Sequence, residues 1–141
     1  MPVRPRAAPL AATLIAATLL AAAALGACGG DDKSAVRKTV REFVTATNRR
    51  DADKFCGKLV TREFLEQTSG AVGDQAERNC RQQIKSLKRL RIDLVGIKKV
   101  EINGDDARAT ATLSAGGQTR DQLLRLKKEG GDWKLAGGSG Q

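Results

Sequence analysis

The three cysteines carry the most specific chemistry that this sequence offers. Cys28 directly follows an uncharged run rich in alanine and leucine, whereas Cys56 and Cys80 lie 24 positions apart in the more polar part of the chain. A thiol in such settings can be acylated, paired in a disulfide or bound to a metal. A structural zinc site normally needs about four nitrogen or sulfur ligands, and the chain has no histidine, so we expect no metal site.

The residues before Cys28 are typical of an export signal. A short segment with two arginines precedes the run from Leu10 to Ala27, which has no charged residue and ends in small residues. That layout predicts a secretory signal peptide over residues 1–27. Since a membrane-spanning helix needs about 20 apolar residues, a retained anchor helix is a second interpretation, although many alanines make the run only mildly hydrophobic.

The end of this segment is more specific. Leu25-Gly26-Ala27-Cys28 resembles the lipobox of bacterial lipoprotein signal peptides, in which a leucine and two small residues precede the modified cysteine. The resemblance implies that the Cys28 sulfur receives a diacylglyceryl group, whose acyl chains hold the protein on the extracytoplasmic side of the cell membrane. Residues 28–33 then form the lipid anchor and a short linker. An ordinary signal peptide cut after Ala27 is the alternative.

Lipidation of Cys28 leaves an even number of cysteines. Cys56 and Cys80 remain, in a compartment where disulfides form and persist. We therefore predict a disulfide between them, with two buried free thiols as the alternative.

Four helical stretches are predicted in the first half of the mature chain. Apolar residues recur at helical spacing from Ser34 to Arg49, and again from Asp74 to about Leu87. Asp51 and Thr61 offer caps for two shorter helices between them. Cys80 lies on the apolar face of the last helix, which suits a bridge to Cys56.

After Lys88 the hydrophobic period changes to two, which is typical of strands. The alternation shifts register near Gly96, and this predicts a β-bulge. Three glycine-containing turns, NGDD, AGGQ and EGGD, separate the remaining strands, and the last strand carries Trp133 and Leu135. Helices followed by an antiparallel meander predict an α+β domain.

Two stretches point to a family. AVRKTVREFVTATNRRDADKFCGKL resembles the opening of nuclear transport factor 2-like (cystatin-like) domains, and GGDWKLAG resembles their last hairpin. The resemblance implies a cone of helices packed on a curved antiparallel sheet over residues 34–137, with a pocket between helices and sheet and a flexible tail over 138–141. Since this fold serves isomerases, dehydratases, transport adaptors and non-catalytic partners of membrane proteins, it implies no single function.

Catalytic residues are hard to find in this chain. The resemblance implies that an enzyme of the ketosteroid-isomerase type would use tyrosines, histidines and aspartates, yet the sequence has no tyrosine and no histidine. Acid–base chemistry would need a carboxylate with a raised pKa, for which Asp93 and Asp121 are the candidates, and the strand alternation turns Asp93 toward solvent. We assign no catalytic residue. The sequence contains no dinucleotide-binding or phosphate-binding loop, so it predicts no cofactor.

The chain is basic, with 25 lysines and arginines against 16 acidic residues and a formal net charge of +9. Export and the scarcity of aromatic residues argue against nucleic acid as a partner, so anionic lipid, an envelope polyanion or an envelope protein is expected instead. A solvated helix face that keeps the protein soluble is the simpler interpretation. The predicted basic surface consists of Arg78, Arg81, Lys85, Lys88, Arg89 and Arg91.

A small apolar ligand is a further candidate partner. Ala107, Ala109 and Ala111 alternate along one face of a predicted strand, where small side chains either leave room for a ligand or let a helix pack closely. The sequence thus predicts an exported, membrane-anchored lipoprotein whose α+β domain is a non-catalytic binding module at the outer face of the membrane. An enzyme with a pocket carboxylate is the alternative.

Overall fold

A computed structural model describes residues 28–88 and 90–140; the predicted signal peptide, Arg89 and Gln141 lie outside the described residues. Helices come first and strands follow, which confirms the α+β class. The helical part comprises α1 Cys28–Arg49, α2 Ala52–Lys54, a π-helical turn Phe55–Leu59, α3 Arg62–Ser69 and α4 Asp74–Ser86. The strands are β1 Ile92–Asn103, β2 Asp106–Ala115, β3 Gln118–Glu129 and β4 Asp132–Gly140.

Two of the predicted helix caps are present. The Asp51 carboxylate accepts a hydrogen bond from the Lys54 amide at 3.0 Å, and the Thr61 hydroxyl accepts one from the Phe64 amide at 3.2 Å. Each cap satisfies an amide that has no partner within its own helix. These short helices therefore begin where the sequence predicts.

Helix α1 differs from its prediction because it begins at Cys28 and not at Ser34. The expected linker over 28–33 is helical here. The physical reason is Asp32, whose carboxylate accepts hydrogen bonds from Lys128 Nζ at 2.8 Å and from the Trp133 indole at 3.1 Å. These two bonds tie the early turns of α1 to the hairpin between β3 and β4.

The four strands form one antiparallel sheet in the order β1-β2-β3-β4. The register shifts between Leu94 and Gly96, so the bulge predicted near Gly96 is present, and a second shift follows between Ile97 and Lys99. The expected tail over 138–141 differs from the structure as well. Gly138 pairs with Leu124, and Ser139 pairs with Leu123, because β3 is long enough to hydrogen-bond the last strand through Gly140.

The main core lies between α1 and one face of the sheet. Val36 and Val40 are fully buried against the alanines of β2. Trp133 and Leu135 from β4 close the same cluster. On the other flank of α1, a second core joins the π-helical turn to α3 and α4, and its buried members include Cys56 and Cys80.

The predicted disulfide is present within this second core. Cys56 and Cys80 are bonded, with their Cα atoms 6.0 Å apart, and both side chains are buried. Arg81, next to Cys80, forms ion pairs with Asp53 of α2 and Glu77 of α4. The covalent bond therefore fastens α4 to the π-helical turn where charged contacts already join α4 to α2.

We expect the variant Cys56→Ala/Cys80→Ala to fold with a free energy of unfolding lowered by about 3–4 kcal/mol, the loss of loop-closure entropy for a loop of this length in the chain-entropy model. Urea unfolding of both proteins, with and without reductant, measures the difference. Reductant should lower the stability of the wild-type protein and leave the variant unchanged. Equal stabilities without reductant would contradict the prediction.

Candidate functional site

The space between α1 and strand β2, in the region where the family resemblance places a pocket, is filled by side chains. Ala109 and Ala111 have no exposed surface and lie in one cluster with Val36 and Val40 of α1. The Thr39 hydroxyl of α1 also donates a hydrogen bond to the Trp133 carbonyl at 3.1 Å. The alanines therefore let the helix pack closely on the sheet. Of the two interpretations of this strand, close helix packing is correct and room for a ligand is not.

Neither candidate carboxylate has the properties of a general base. Asp93 is exposed and pairs with Arg91 at 3.4 Å. Asp121 accepts hydrogen bonds from Lys98 Nζ at 2.7 Å and from the Thr112 hydroxyl at 2.6 Å. These two donors hold the pKa of Asp121 below its usual range, whereas acid–base chemistry near neutral pH needs a raised pKa.

The predicted basic surface is only partly available for a partner. Arg81 is held by Asp53 and Glu77, Arg78 donates to Gln75, and Arg91 pairs with Asp93. Lys85 and Lys88 are exposed, and Arg89 lies outside the described residues. Since an ion pair neutralises much of a cation's field, the charges of Arg81 and Arg91 are offset. The acceptor of Arg78 is the neutral Gln75, so Arg78, like Lys85 and Lys88, has no ion pair among the described residues.

A cleft of about 580 Å³ lies on the sheet and has contributions from all four strands. Glu101, Arg108, Arg125 and Gly137 stand side by side on neighbouring strands. Arg108 is exposed between the buried residues Ala107 and Ala109, so this row lies on the face away from α1. Helix α3 adds polar side chains to the cleft.

The side chain of Arg125 can extend over β4 because residue 137 is a glycine. A Cβ atom at position 137 would stand 2.7 Å from Arg125 Nη2, and Gly137 has a φ of +154°, in a region that favours glycine. A register shift between Arg125 and Leu126 also leaves Ala136 as an extra residue in β4. The bulge and the glycine together make room for the guanidinium group.

The cleft carries charges of both signs. Its cations are balanced by carboxylates, and Lys99 and Arg108 lower the pKa of Glu101, with the Lys99 hydrogen bond as the main cause. Such a lining suits a partner that itself presents both positive and negative groups. The charged residues that line the cleft are Glu63, Glu101, Asp106, Arg108, Arg125 and Lys127.

The sequence did not predict this cleft. The alternation of β2 already turned Arg108 away from the core, but the pairing of Arg108 with Arg125 depends on strand register. A one-residue slip would have moved either arginine to the other face. The contribution of Glu63 depends on where α3 packs, for which the sequence has no local signal.

Comparison with solved structures identifies the fold. The chain is similar to the crystal structure of a nuclear transport factor 2-like (NTF-2-like) protein of unknown function from Silicibacter pomeroyi, with a TM-score of 0.53 and 16% sequence identity over 79% of this chain and 96% of that chain. No protein-family model matches the sequence, and no curated protein matches it. The described part of the chain therefore has the α+β cone fold of nuclear transport factor 2-like proteins.

Across residues 28–88 and 90–140, no helix combines the length and the apolar character that crossing a bilayer requires. Within the same part of the chain, the bond between Cys56 and Cys80 also occupies both thiols that the zinc interpretation would have needed.

Substitution Ala109→Leu tests whether the interior is filled. We expect it to lower the free energy of unfolding by about 1–3 kcal/mol, because the larger side chain must displace Val36 or Val40 in a packed core. Ala115→Leu, at the exposed end of the same strand, is the matched control and should change stability little. Thermal and urea unfolding measure both; a neutral or stabilising Ala109→Leu would instead show unfilled space beside β2.

Proposed function

We propose that this chain is an exported lipoprotein, attached through a diacylated Cys28 to the outer face of the cell membrane. In this proposal its nuclear transport factor 2-like domain is a non-catalytic module that binds a protein partner through the sheet cleft.

The disulfide supports the export part of the proposal. Disulfides persist in extracytoplasmic compartments and are rare in the cytosol, and the bond between Cys56 and Cys80 leaves Cys28 as the odd cysteine of the chain. Because Cys28 also ends a stretch that resembles a lipobox, acylation explains both the odd count and the position of this residue.

The binding part rests on the filled interior. Since Val36 and Val40 occupy the space against β2, a partner must contact the outer surface of the domain. The sheet cleft places Arg108 and Arg125 close to Glu63 and Glu101, a mixture that opposes both an apolar ligand and a uniformly charged polyanion. A protein surface presents both charges and fits this lining best.

The anchor is tested by mass spectrometry of the membrane fraction. We expect a protein that begins at Cys28 and carries the mass of its acyl chains. The variant Cys28→Ala should lack that mass, whereas the matched variant Cys56→Ala/Cys80→Ala should keep it. A native protein that begins elsewhere, or that begins at Cys28 without acyl mass, would refute the anchor.

The cleft is tested by chemical cross-linking in intact membranes. We expect the wild-type protein to form discrete cross-linked complexes with another protein, and Arg108→Glu/Arg125→Glu to lose them because both cations reverse their sign. Arg78→Glu/Lys85→Glu makes the same charge change on α4 and should retain the complexes. Complexes that survive in the cleft variant, or that are absent from the wild type, would contradict the proposed binding site.

A further inference from the structure

Basic side chains recur along one rim of α1, directly after the proposed anchor. Lys33, Arg37 and Arg41 follow each other at steps of four residues. Residues four apart share one side of a helix, so these three cations form a row along α1. At about 1.5 Å per residue the row is about 12 Å long.

This rim lies beside β1, the edge strand of the sheet. Arg37 Nη1 donates a hydrogen bond to the Ile97 carbonyl at 3.0 Å. The Asn48 side chain donates to the Ile92 carbonyl at 2.7 Å and accepts from the Ile92 amide at 2.8 Å. Helix and strand therefore run side by side, and we call this surface the basic seam: Lys33, Arg37 and Arg41 of α1 with Lys98 and Lys99 of β1.

Among the described residues, part of the seam's charge is not offset by an ion pair. Lys98 pairs with Asp121, and Lys99 pairs with Glu101, each at 2.7 Å. In contrast, Lys33 and Arg41 are exposed and form no ion pair with any described residue. Asp31 is the exposed carboxylate nearest in sequence to Lys33, and Asp32 is engaged by Lys128 and Trp133.

The end of the seam near the proposed anchor forms a cleft. An exposed apolar side chain lies farther along the seam. Lys33 and Lys99 line the same cleft, of about 730 Å³, together with Asp32 and Glu101. Val95 of β1, at the bulge between Leu94 and Gly96, is 64% exposed. Cations around an exposed apolar residue are suited to the headgroup region of a membrane.

We propose that the basic seam lies on the anionic surface of the membrane that carries the protein, so that α1 runs parallel to the bilayer. This inference rests on the proposed acylation of Cys28. Because α1 begins at Cys28 and Asp32 fixes its early turns to the sheet, the proposed anchor lies at the end of α1 that carries Lys33. A polybasic surface is a second attachment signal beside a lipid anchor.

The competing basic surface is less suited to this contact. Lys85 and Lys88 are exposed at the end of α4 and just beyond it, but α4 is fastened to the π-helical turn by the disulfide. That turn follows the C-terminal end of α1, at the far end of the helix from Cys28. Of the two surfaces, only the seam starts beside the anchor.

Lysine footprinting of the acylated full-length product tests the orientation. The protein is reconstituted into vesicles of neutral phosphatidylcholine and into vesicles that also contain anionic phosphatidylglycerol, and is acetylated by an N-hydroxysuccinimide ester. Mass spectrometry then compares Lys33, Lys98 and Lys99 with the exposed reference lysines Lys58 and Lys127. We expect several-fold lower modification of the seam lysines on anionic vesicles alone, and a smaller difference at high salt, which screens the attraction.

Charge variants test whether the seam itself, and not the net charge of the protein, causes the protection of these lysines. Lys33→Glu/Arg41→Glu should abolish the protection of Lys98 and Lys99, since one cation near an anionic bilayer contributes roughly fivefold to membrane partitioning. The control Arg78→Glu/Lys85→Glu has the same change in net charge and should retain the protection.

The possible results distinguish a failure of this inference from a failure of the proposed function. A native chain without acylated Cys28 overturns both. An acylated chain whose seam lysines are modified equally on neutral and anionic vesicles overturns the orientation alone. Protection of Lys85 and Lys88 in place of the seam, or equal loss of protection in both charge variants, also overturns it.

Discussion

The close packing of α1 on the alanine-lined strand β2 governs the other features of this fold. Buried alanines bring the helix so near to the sheet that Val36 and Val40 fill the space between them. Packed interiors resist larger side chains and leave little free volume. In the fold that this chain shares with the protein from Silicibacter pomeroyi, side chains therefore fill the space between α1 and β2 here, and charged groups lie on the outside.

The hydrogen bonds of Asp32 connect this packing to the proposed anchor. A helix end leaves several amides without partners and frays easily, yet the bonds to Lys128 and Trp133 hold the early turns of α1 against the sheet. Both donors lower the pKa of Asp32, Lys128 most strongly. The six residues that the sequence predicts as a linker thereby become part of helix α1.

Two outer surfaces have different electrostatic character. The sheet cleft mixes Arg108 and Arg125 with carboxylates, whereas Lys33 and Arg41 of the basic seam form no ion pair with any described residue. A mixed surface gives specificity toward a protein, because wrongly placed like charges are penalised. A row of cations recognises any dense anionic surface without such specificity. In the proposed arrangement the seam faces the membrane and the cleft faces a partner protein, and the ion pair of Lys99 with Glu101 lies where the two surfaces meet.

The order of helices and strands, the caps at Asp51 and Thr61, and the bulge near Gly96 could be predicted from the sequence, because these depend on local periodicity and turn chemistry. The bond between Cys56 and Cys80 followed from the cysteine count. Three other features became evident in the folded structure alone: a helix and not a ligand packs on the alanines of β2, α1 extends to Cys28, and Arg108 lies opposite Arg125. Each of these depends on contacts between residues distant in the chain, whose register and packing no local pattern specifies.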